Sequence, residues 1–353
     1  MGRHEPPPPG TIMTIASTTK PLRLSLNENP LGPSPRALQA INDALPDVGR
    51  YAGDALAALK STIAAEADVA PDQIVLGEVL NIFGLYLAAR SGPGGDFLYS
   101  EPGYTALVDA VAPAGGNVVG IPLDDRLGND LPAFLRRLNE QTRAVYLVNP
   151  HNPTGLVEDT QHFLDVVSEV SQRTLVLVDE AYLDFLPDFR ERTAARLLSR
   201  GARVVVFRTF AKLHGLAGLG FGYALAPPDL AAAMTQIGIG AYFNLNRLGL
   251  VAANASLQDR SFIETTRTRI ARERETWHAL FRQRAIRFTE SHANFVFFDA
   301  QCPQRIIASE LAARGIDIGR AHPPLENWVR ISIGTAEENE TARHAVAELL
   351  HRP

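Results

Sequence analysis

Five short apolar runs alternate with helical stretches between residues 96 and 210, and this alternation restricts the possible folds more than any other feature. The runs are rich in Val and Leu and read DFLYS, NVVGIPL, RAVYLVNP, TLVLVDEAY and ARVVVFRTF. Helical periodicity lies between several of them, for example at 160–172. Near-continuous apolar strands separated by helices are typical of a parallel sheet covered on both faces. The sequence therefore predicts an α/β fold with a mainly parallel central sheet flanked by helices.

Polar residues follow three of these runs at the point where each run ends. Asn149 and Asn152 come after the third run. Asp179 ends the fourth run, and Lys212 follows the fifth. In open α/β sheets ligands bind outside the carboxyl ends of the strands, so we expect these side chains to converge. A lysine held near apolar walls and a second cation has a lowered pKa and becomes a nucleophilic amine.

Each of these residues also has a purely structural interpretation. The NPHNPTG segment (149–155) is punctuated by Pro and Gly, so it is a turn, and an Asx-turn explains its Asn residues. Asp179 is equally compatible with a helix N-cap or a salt bridge to the scaffold, because a buried carboxylate requires donors or a cation. Lys212 taken alone is compatible with a surface lysine in a loop.

Taken together, the strand ends supply what an aldehyde cofactor requires. Lys212 would join the aldehyde, and Asp179 would keep a ring nitrogen protonated. Asn152 and Tyr182 would bind a ring hydroxyl. Pyridoxal 5′-phosphate (PLP) has these features and acts as an electron sink.

The pattern changes after about residue 245. A long charged helix at 259–284 leads into FVFFD, a helix at 304–314, WVRISIG and a final helix, which is an α+β pattern. We expect a second, smaller α+β domain. The predicted division is a disordered lead (1–20), an N-terminal segment packing with the small domain (21–45), a large PLP-binding α/β domain (46–245) and the small domain (246–353).

Composition limits the function classes. The formal net charge of -5 argues against nucleic acid as a partner, because nucleic-acid binding normally needs a basic patch. The single cysteine, Cys302, excludes an intrachain disulfide. No Cys/His cluster has metal-ligand spacing, so we expect no metal. The first 20 residues contain no apolar stretch long enough for a signal peptide or membrane span, so we expect a cytoplasmic protein without membrane partners.

Nine segments in family order resemble the class I/II aminotransferases of fold type I. They are LSLNENPLGPSP, RYAG, PDQIVLGE, EPGY, NPHNPTG, VDEAY, RTFAKLHGLAGL, ANFVFF and VRISIGTAEEN. Within this family the chain is most similar to histidinol-phosphate aminotransferase and its relatives. The resemblance implies the PLP transferase fold for the large domain, and transfer of an amino group from an amino acid or amino-phosphate donor to a keto acid.

The resemblance also implies a role for each matching residue. Lys212 binds the cofactor covalently and acts as general base, and Asp179 pairs with the ring nitrogen. Further cofactor contacts are implied for Asn152, Tyr182, Tyr104, Thr209, Leu80, Asn81 and Tyr51. Tyr51 is expected to reach the cofactor phosphate of the neighbouring subunit, which implies a homodimer with shared active sites. The implied substrate contacts are Arg330 for an anionic group, Arg320 as a second anion contact, and Asn27 at the mouth of the site.

Two positions depart from the family pattern, and both concern the cofactor phosphate. The family usually has a Gly-Ser-Asp-Glu type turn where this chain reads GEVLN (77–81), and an arginine where it has Gly220. A charge-assisted hydrogen bond is worth about 1.5–3 kcal/mol, so its loss weakens binding roughly ten- to a hundredfold. Three explanations compete: another arginine such as Arg208 supplies the charge, the enzyme tolerates weaker binding, or the site has lost affinity and activity.

Two other functions therefore remain open beside transamination. The same scaffold carries out decarboxylation, oxidation or cyclisation of amino acids, because the reaction depends on which substrate bond is perpendicular to the cofactor ring. A degenerate, non-catalytic binding protein is the third alternative, on account of Gly220.

Overall fold

The computed structural model describes residues 21–350. The prediction of a disordered lead at 1–20 lies outside the described residues, as do positions 351–353 of the predicted small domain. No helix within 21–350 is both long and apolar enough to cross a membrane.

Eleven strands and twelve α-helices occur in this part of the chain. The strands are β1 (Leu22–Leu24), β2 (Ile74–Leu76), β3 (Asp96–Glu101), β4 (Asn117–Pro122), β5 (Thr142–Val148), β6 (Leu175–Asp179), β7 (Val204–Thr209), β8 (Gly222–Leu225), β9 (Phe295–Asp299), β10 (Ile316–Ile318) and β11 (Trp328–Ser332). The helices are α1 (Pro35–Ala44), α2 (Gly53–Ala67), α3 (Leu80–Ser91), α4 (Ala106–Asp109), α5 (Leu131–Arg137), α6 (Thr160–Ser171), α7 (Phe189–Arg192), α8 (Pro228–Gln236), α9 (Arg247–Gln258), α10 (Arg260–Gln283), α11 (Gln304–Ala312) and α12 (Ala336–Leu349).

Seven strands form the central sheet, in the order β2-β8-β7-β6-β5-β3-β4. The five strands β4, β3, β5, β6 and β7 run parallel to one another. β8 is antiparallel to both β7 and β2. All five apolar runs picked out from the sequence are strands of this sheet, β3 to β7. The predicted α/β fold with a mainly parallel central sheet is confirmed.

Both faces of the sheet are buried because successive side chains of a strand point to opposite sides. Val176 and Val178 of β6 lie in one apolar core, and Leu175 and Leu177 lie in another. All four are buried. Each fully buried Val or Leu contributes about 1.5–3 kcal/mol relative to an exposed one, which explains why β6 is apolar almost to its end. Asp179, the last residue of β6, is the one charged residue of this strand, and it lies in the candidate site described below.

The C-terminal part forms a separate core. β9 and β11 pair in an antiparallel sheet, and β1 pairs in parallel with β10, so the N-terminal segment joins this part. Buried residues of α10, α11 and α12 pack on these strands. The buried side chains of α9, in contrast, lie in the core of the large sheet. The division of the chain at residue 245 stays a prediction.

Helices α2 and α3 begin without a side-chain cap. α2 starts at Gly53, and its N-cap residue, Ala52, provides no side-chain hydrogen bond. Asp54 lies in the first turn and forms an ion pair with Arg247. Near the site, α3 begins at Leu80 and its N-cap residue, Val79, also provides no side-chain hydrogen bond.

Candidate active site

The carboxyl ends of β5, β6 and β7 meet at one edge of the sheet. Val148 of β5 pairs with Asp179 of β6, and Asp179 pairs with Phe207 of β7. The backbone N–H of Asn149 donates to the carbonyl oxygen of Asp179 at 2.9 Å. Lys212 follows β7 by three residues. The predicted convergence of these strand ends is therefore a property of the folded chain.

Asp179 is a buried carboxylate with two donors, and its side chain is only 4% exposed. Its Oδ2 accepts from the hydroxyl of Tyr146 at 3.0 Å, and its Oδ1 accepts from the backbone N–H of Ala181 at 2.9 Å. Burial raises the pKa of Asp179, and these two hydrogen bonds with the nearby charge of Lys212 act in the opposite direction. A cation placed against this carboxylate would therefore be strongly favoured.

Lys212 presents its amine to the same cleft. The Nζ donates to the carbonyl oxygen of Leu26 at 2.9 Å. Burial and then the charge of Arg330 lower the pKa of Lys212, against the opposite influence of Glu28, Asp179 and Glu78, to about 8. Near pH 8 about half of the amine is neutral, which is the form that attacks carbonyl groups and accepts protons.

Tyr182 and Asn152 lie together deeper in the cleft. The Tyr182 hydroxyl accepts from Nδ2 of Asn27 at 3.0 Å and from Nδ2 of Asn152 at 3.5 Å. Asn27 was expected at the mouth of the site, but it is only 1% exposed. Its backbone N–H and its Oδ1 both bond to the hydroxyl of Ser332. Asn27 is therefore part of the wall of the cleft.

Arg330 is a buried cation in the same cluster. Its Nη1 donates to Oδ1 of Asn152 at 2.6 Å and its Nη2 to the carbonyl of Ser25 at 2.9 Å. The Nε of Arg330 is buried without a partner in the described chain. Burial lowers the pKa of Arg330, and the charge of Arg320 lowers it as well. Arg320 is thus within electrostatic reach of Arg330, but it lies on the exposed side.

Tyr104 covers the cleft from the segment after β3. Its side chain is 40% exposed. Burial of part of the ring raises the pKa of Tyr104 to about 12, and the charge of Asp179 contributes in the same direction. The Tyr104 hydroxyl therefore lies within electrostatic reach of Asp179.

Strand pairing brings Thr209 to the side of β8 next to the turn before α3, where Leu80 and Asn81 lie. Thr209 is paired with Gly222 of β8, and the carbonyl of Gly222 accepts from the N–H of Gly77 at 2.9 Å. The turn that starts at Gly77 leads into α3, so Thr209 and the first N–H groups of that helix are neighbours. The N-terminus of a helix is a favourable environment for an anion.

Arg208 does not supply the charge that Gly220 lacks. Its guanidinium donates to Oε2 of Glu180 at 3.1 and 3.0 Å and to the hydroxyl of Thr193 at 2.8 Å. Arg208 and Thr209 are consecutive residues of β7 and point to opposite faces. The first of the three explanations for the missing arginine therefore fails for Arg208.

Tyr51 is not brought to the cleft of its own subunit. Its side chain is 74% exposed, and its ring packs edge-on against Tyr242 with centroids 5.8 Å apart. Its backbone carbonyl accepts from Arg247. Among the described residues, Tyr51 makes no hydrogen bond, ion pair or ring contact with Lys212 or Asp179.

Sequence reasoning missed two groups that complete the site. Tyr146 is a donor to Asp179, and its signal was present in the sequence, since it is the one aromatic residue of β5 and lies two residues before the strand ends. The carbonyl of Leu26 holds the Lys212 amine across 186 residues of sequence. A backbone carbonyl leaves no signature in the sequence, so this contact could not be foreseen.

Comparisons with known proteins agree with this geometry. The family "Aminotransferase class I and II" matches residues 19–346. A histidinol-phosphate aminotransferase of Limosilactobacillus fermentum is 34% identical over 332 residues, covering 93% of this chain and 91% of that protein. One of Lactiplantibacillus plantarum is 31% identical over 343 residues, covering 97% and 95%.

Solved structures are similar over the same length. The histidinol-phosphate aminotransferase of Sinorhizobium meliloti in complex with pyridoxal-5′-phosphate has a TM-score of 0.85 at 29% identity, covering 94% of this chain and 91% of that one. Aspartate aminotransferase of Thermus thermophilus, with a TM-score of 0.81 at 20% identity over 94% and 92%, shares the fold. Since the family match spans nearly all of the described residues, the chain belongs to the aminotransferase class I and II family.

Proposed function

We propose that this chain is a PLP-dependent aminotransferase of the histidinol-phosphate aminotransferase type. It would move an amino group from an amino acid or amino-phosphate donor to a keto acid. One observation carries the proposal: a lysine amine with a pKa of about 8 and a buried carboxylate share one cleft at the carboxyl ends of adjacent strands. These are the two groups that a pyridoxal ring requires at its opposite sides.

The chemistry of the side chains fits the ring of the cofactor. Bound PLP supplies an aldehyde that reacts with amines and a ring that takes up electron density when a bond at the substrate carbon breaks. Lys212 would hold the aldehyde carbon, and Asp179 the ring nitrogen. Tyr182 and Asn152 would bind the ring oxygen, and Tyr104 would cover the ring face. Thr209 and the N–H groups at Leu80 and Asn81 would receive the phosphate.

The chain's own residues prepare the proton transfer. The Nζ of Lys212 is the group that takes a proton from the substrate carbon and returns it. With a pKa of about 8, roughly a tenth of the amine is neutral at pH 7 and about half at pH 8, far more than for an ordinary lysine, and the neutral amine is the form a general base needs. The carbonyl of Leu26 fixes the position of this amine. Tyr146 and the N–H of Ala181 hold Asp179 in one orientation and favour its ionised form.

The substrate end is cationic. Arg330 is buried, and its Nε has no partner among the described residues, so it can bind a carboxylate or phosphate of the substrate. Arg320 adds a second positive charge on the exposed side of Arg330. Two cations suit a doubly charged group, which favours an amino-phosphate donor. The names of the relatives point to the same donor class.

A homodimer completes the proposal. Exposed aromatic side chains surround Tyr51, including Tyr242 at 49% and Phe243 at 54% exposure. Large exposed aromatic clusters are typical of interfaces. Tyr51 would then reach the cleft of the neighbouring subunit. Sedimentation of wild type and Tyr51→Asp tests this, and two monomeric proteins would contradict it. The cytoplasmic location stays a prediction.

Covalent trapping tests the function. The chain has three lysines, Lys20, Lys60 and Lys212. After incubation with PLP and borohydride, peptide mass analysis should find the cofactor on Lys212. Lys212→Ala should abolish trapping and turnover with a panel of amino donors that includes histidinol phosphate. Lys60→Ala is the matched control and should retain both. A wild type that is trapped at Lys212 but transfers no amino group from any donor would favour another reaction type.

A further inference from the structure

The phosphate end of the candidate site carries a negative charge that the sequence alone did not place there. A Cβ added to Gly220 would lie 3.7 Å from Cγ and 4.0 Å from Oε1 of Glu78. The charge of Glu78 also lies within electrostatic reach of Lys212 and of Tyr104. The two departures from the family pattern, the turn at 77–81 and Gly220, are therefore one feature in space.

Among the described residues, no cation stands at ion-pair distance from this carboxylate, since no Lys, Arg or His nitrogen lies within 4.0 Å of it. Arg208 is held by Glu180 on the other face of β7. The start of α3 provides roughly half a positive charge through the helix dipole, whereas Glu78 provides a full negative charge. The sum of these two charges is negative, so this end of the site repels a phosphate dianion.

The groups that would bind the cofactor ring and its aldehyde are present at the other end of the cleft. Lys212 forms a covalent bond, and Asp179 is buried with two donors of its own. These groups address the ring and the aldehyde, which pyridoxal and PLP share. The Thr209 hydroxyl at the phosphate end already accepts from the N–H of Ala211 at 3.0 Å, and it carries no charge to offset Glu78.

We propose that this chain binds its pyridoxal cofactor through the ring and Lys212, and that Glu78 cancels most of the contribution of the phosphate, so that unphosphorylated pyridoxal and PLP bind with similar affinity. The proposal rests on the proposed function, because it assumes a pyridoxal ring at Lys212. It adds that the site discriminates poorly between the two forms of the cofactor.

Binding of the two compounds to the full chain, freed of cofactor, provides the test. Dissociation constants for PLP and for pyridoxal are measured by absorbance titration for wild type and Glu78→Gln. This substitution removes the negative charge of the Glu78 side chain and keeps its shape. In the wild type the two constants should differ by less than about tenfold. Glu78→Gln should strengthen PLP binding by about five- to tenfold and leave pyridoxal binding unchanged, since about 1 kcal/mol separates two unit charges at ~4 Å in water.

Gly220 offers an independent variant. Gly220→Arg should strengthen PLP binding roughly ten- to a hundredfold through a charge-assisted hydrogen bond. Gly220 has a φ of +53°, so any side chain there is strained, and Gly220→Gln controls for that strain. Glu140→Gln controls for the loss of a carboxylate, because Glu140 lies beside the start of β5, at the opposite edge of the sheet. Neither control should change the affinity for PLP.

The outcomes separate this inference from the proposed function. Wild-type affinity for PLP more than about tenfold above that for pyridoxal would overturn the inference, and so would Glu78→Gln affinities equal to those of wild type. In both cases borohydride trapping at Lys212 would still support the function. If neither compound is trapped at Lys212, the proposed function fails, and this inference fails with it.

Discussion

Replacing Tyr146 by Phe removes one of the two donors that hold Asp179. The hydroxyl of Tyr146 lies 3.0 Å from Oδ2 of Asp179, and both side chains are buried. The change deletes a single oxygen and preserves the ring, so the apolar packing on β5 is kept. Its main consequence should be electrostatic, because this hydrogen bond lowers the pKa of Asp179.

The size of the effect follows from the charge of the acceptor. A hydrogen bond to a charged group is worth about 1.5–3 kcal/mol, and burial excludes water as a replacement donor. Losing it shifts the equilibrium between the ionised and protonated carboxyl about ten- to a hundredfold toward the protonated form. The pKa of Asp179, already raised by burial, rises further. Below this pKa the carboxyl no longer carries the charge that a protonated ring nitrogen requires.

The pH profile of kcat/KM with an active amino donor measures the shift. The acid limb of the Tyr146→Phe profile should move to higher pH by a matching amount, while the plateau at higher pH is largely retained. Tyr99→Phe is the matched control, because Tyr99 pairs with Tyr146 on the adjacent strand and donates to Glu101 instead. Superimposable acid limbs for Tyr146→Phe and wild type would refute the reasoning.

Two further predictions concern charge and burial. Arg208→Met should lower the free energy of unfolding in urea by about 3–5 kcal/mol, because it leaves Glu180 buried without its cation. Arg190 is exposed, so Arg190→Met should lower the same free energy by less than about 1 kcal/mol. Equal losses of free energy in the two variants would contradict the first prediction. Labelling of Lys212 by an amine-reactive reagent should rise with a midpoint near pH 8, and Arg330→Met should move the midpoint to higher pH because the Arg330 charge lowers the Lys212 pKa. A wild-type midpoint near 10.5, the ordinary value, would contradict the second prediction.

The strands of the central sheet could be predicted where burial on both faces made them apolar throughout. β3 to β7 fit this description, and each was found. β2 and β8 were missed because they are only three and four residues long, and β8 is bordered by glycine. Their pairing joins residues 74–76 to 222–225, so it depends on contacts too distant in sequence for a local pattern to reveal.

The ring end of the site could be predicted from strand ends, whereas the phosphate end could not. Asp179 and Lys212 interrupt or follow apolar strands, so their chemistry is visible in the sequence. In the sequence, the turn that contains Glu78 and the residue Gly220 are two separate departures from the family pattern, 142 positions apart by the difference of the residue numbers. Only the folded chain shows that the Glu78 carboxylate lies 4.0 Å from the point where a side chain at position 220 would begin.

The N-terminal segment explains why the site depends on both parts of the chain. The carbonyl of Ser25 binds Arg330, the carbonyl of Leu26 binds Lys212, and the amide of Asn27 binds Tyr182. Asn27 has a φ of 55°, a left-handed conformation that asparagine tolerates better than most residues. This turn in the backbone directs three consecutive residues toward three different partners. Because β1 precedes them and pairs with β10, the position of the Lys212 amine is tied to the small sheet. A displacement of that sheet would therefore withdraw the Leu26 carbonyl from the amine and the Ser25 carbonyl from Arg330 together, so the base and the substrate-binding cation are coupled through one segment.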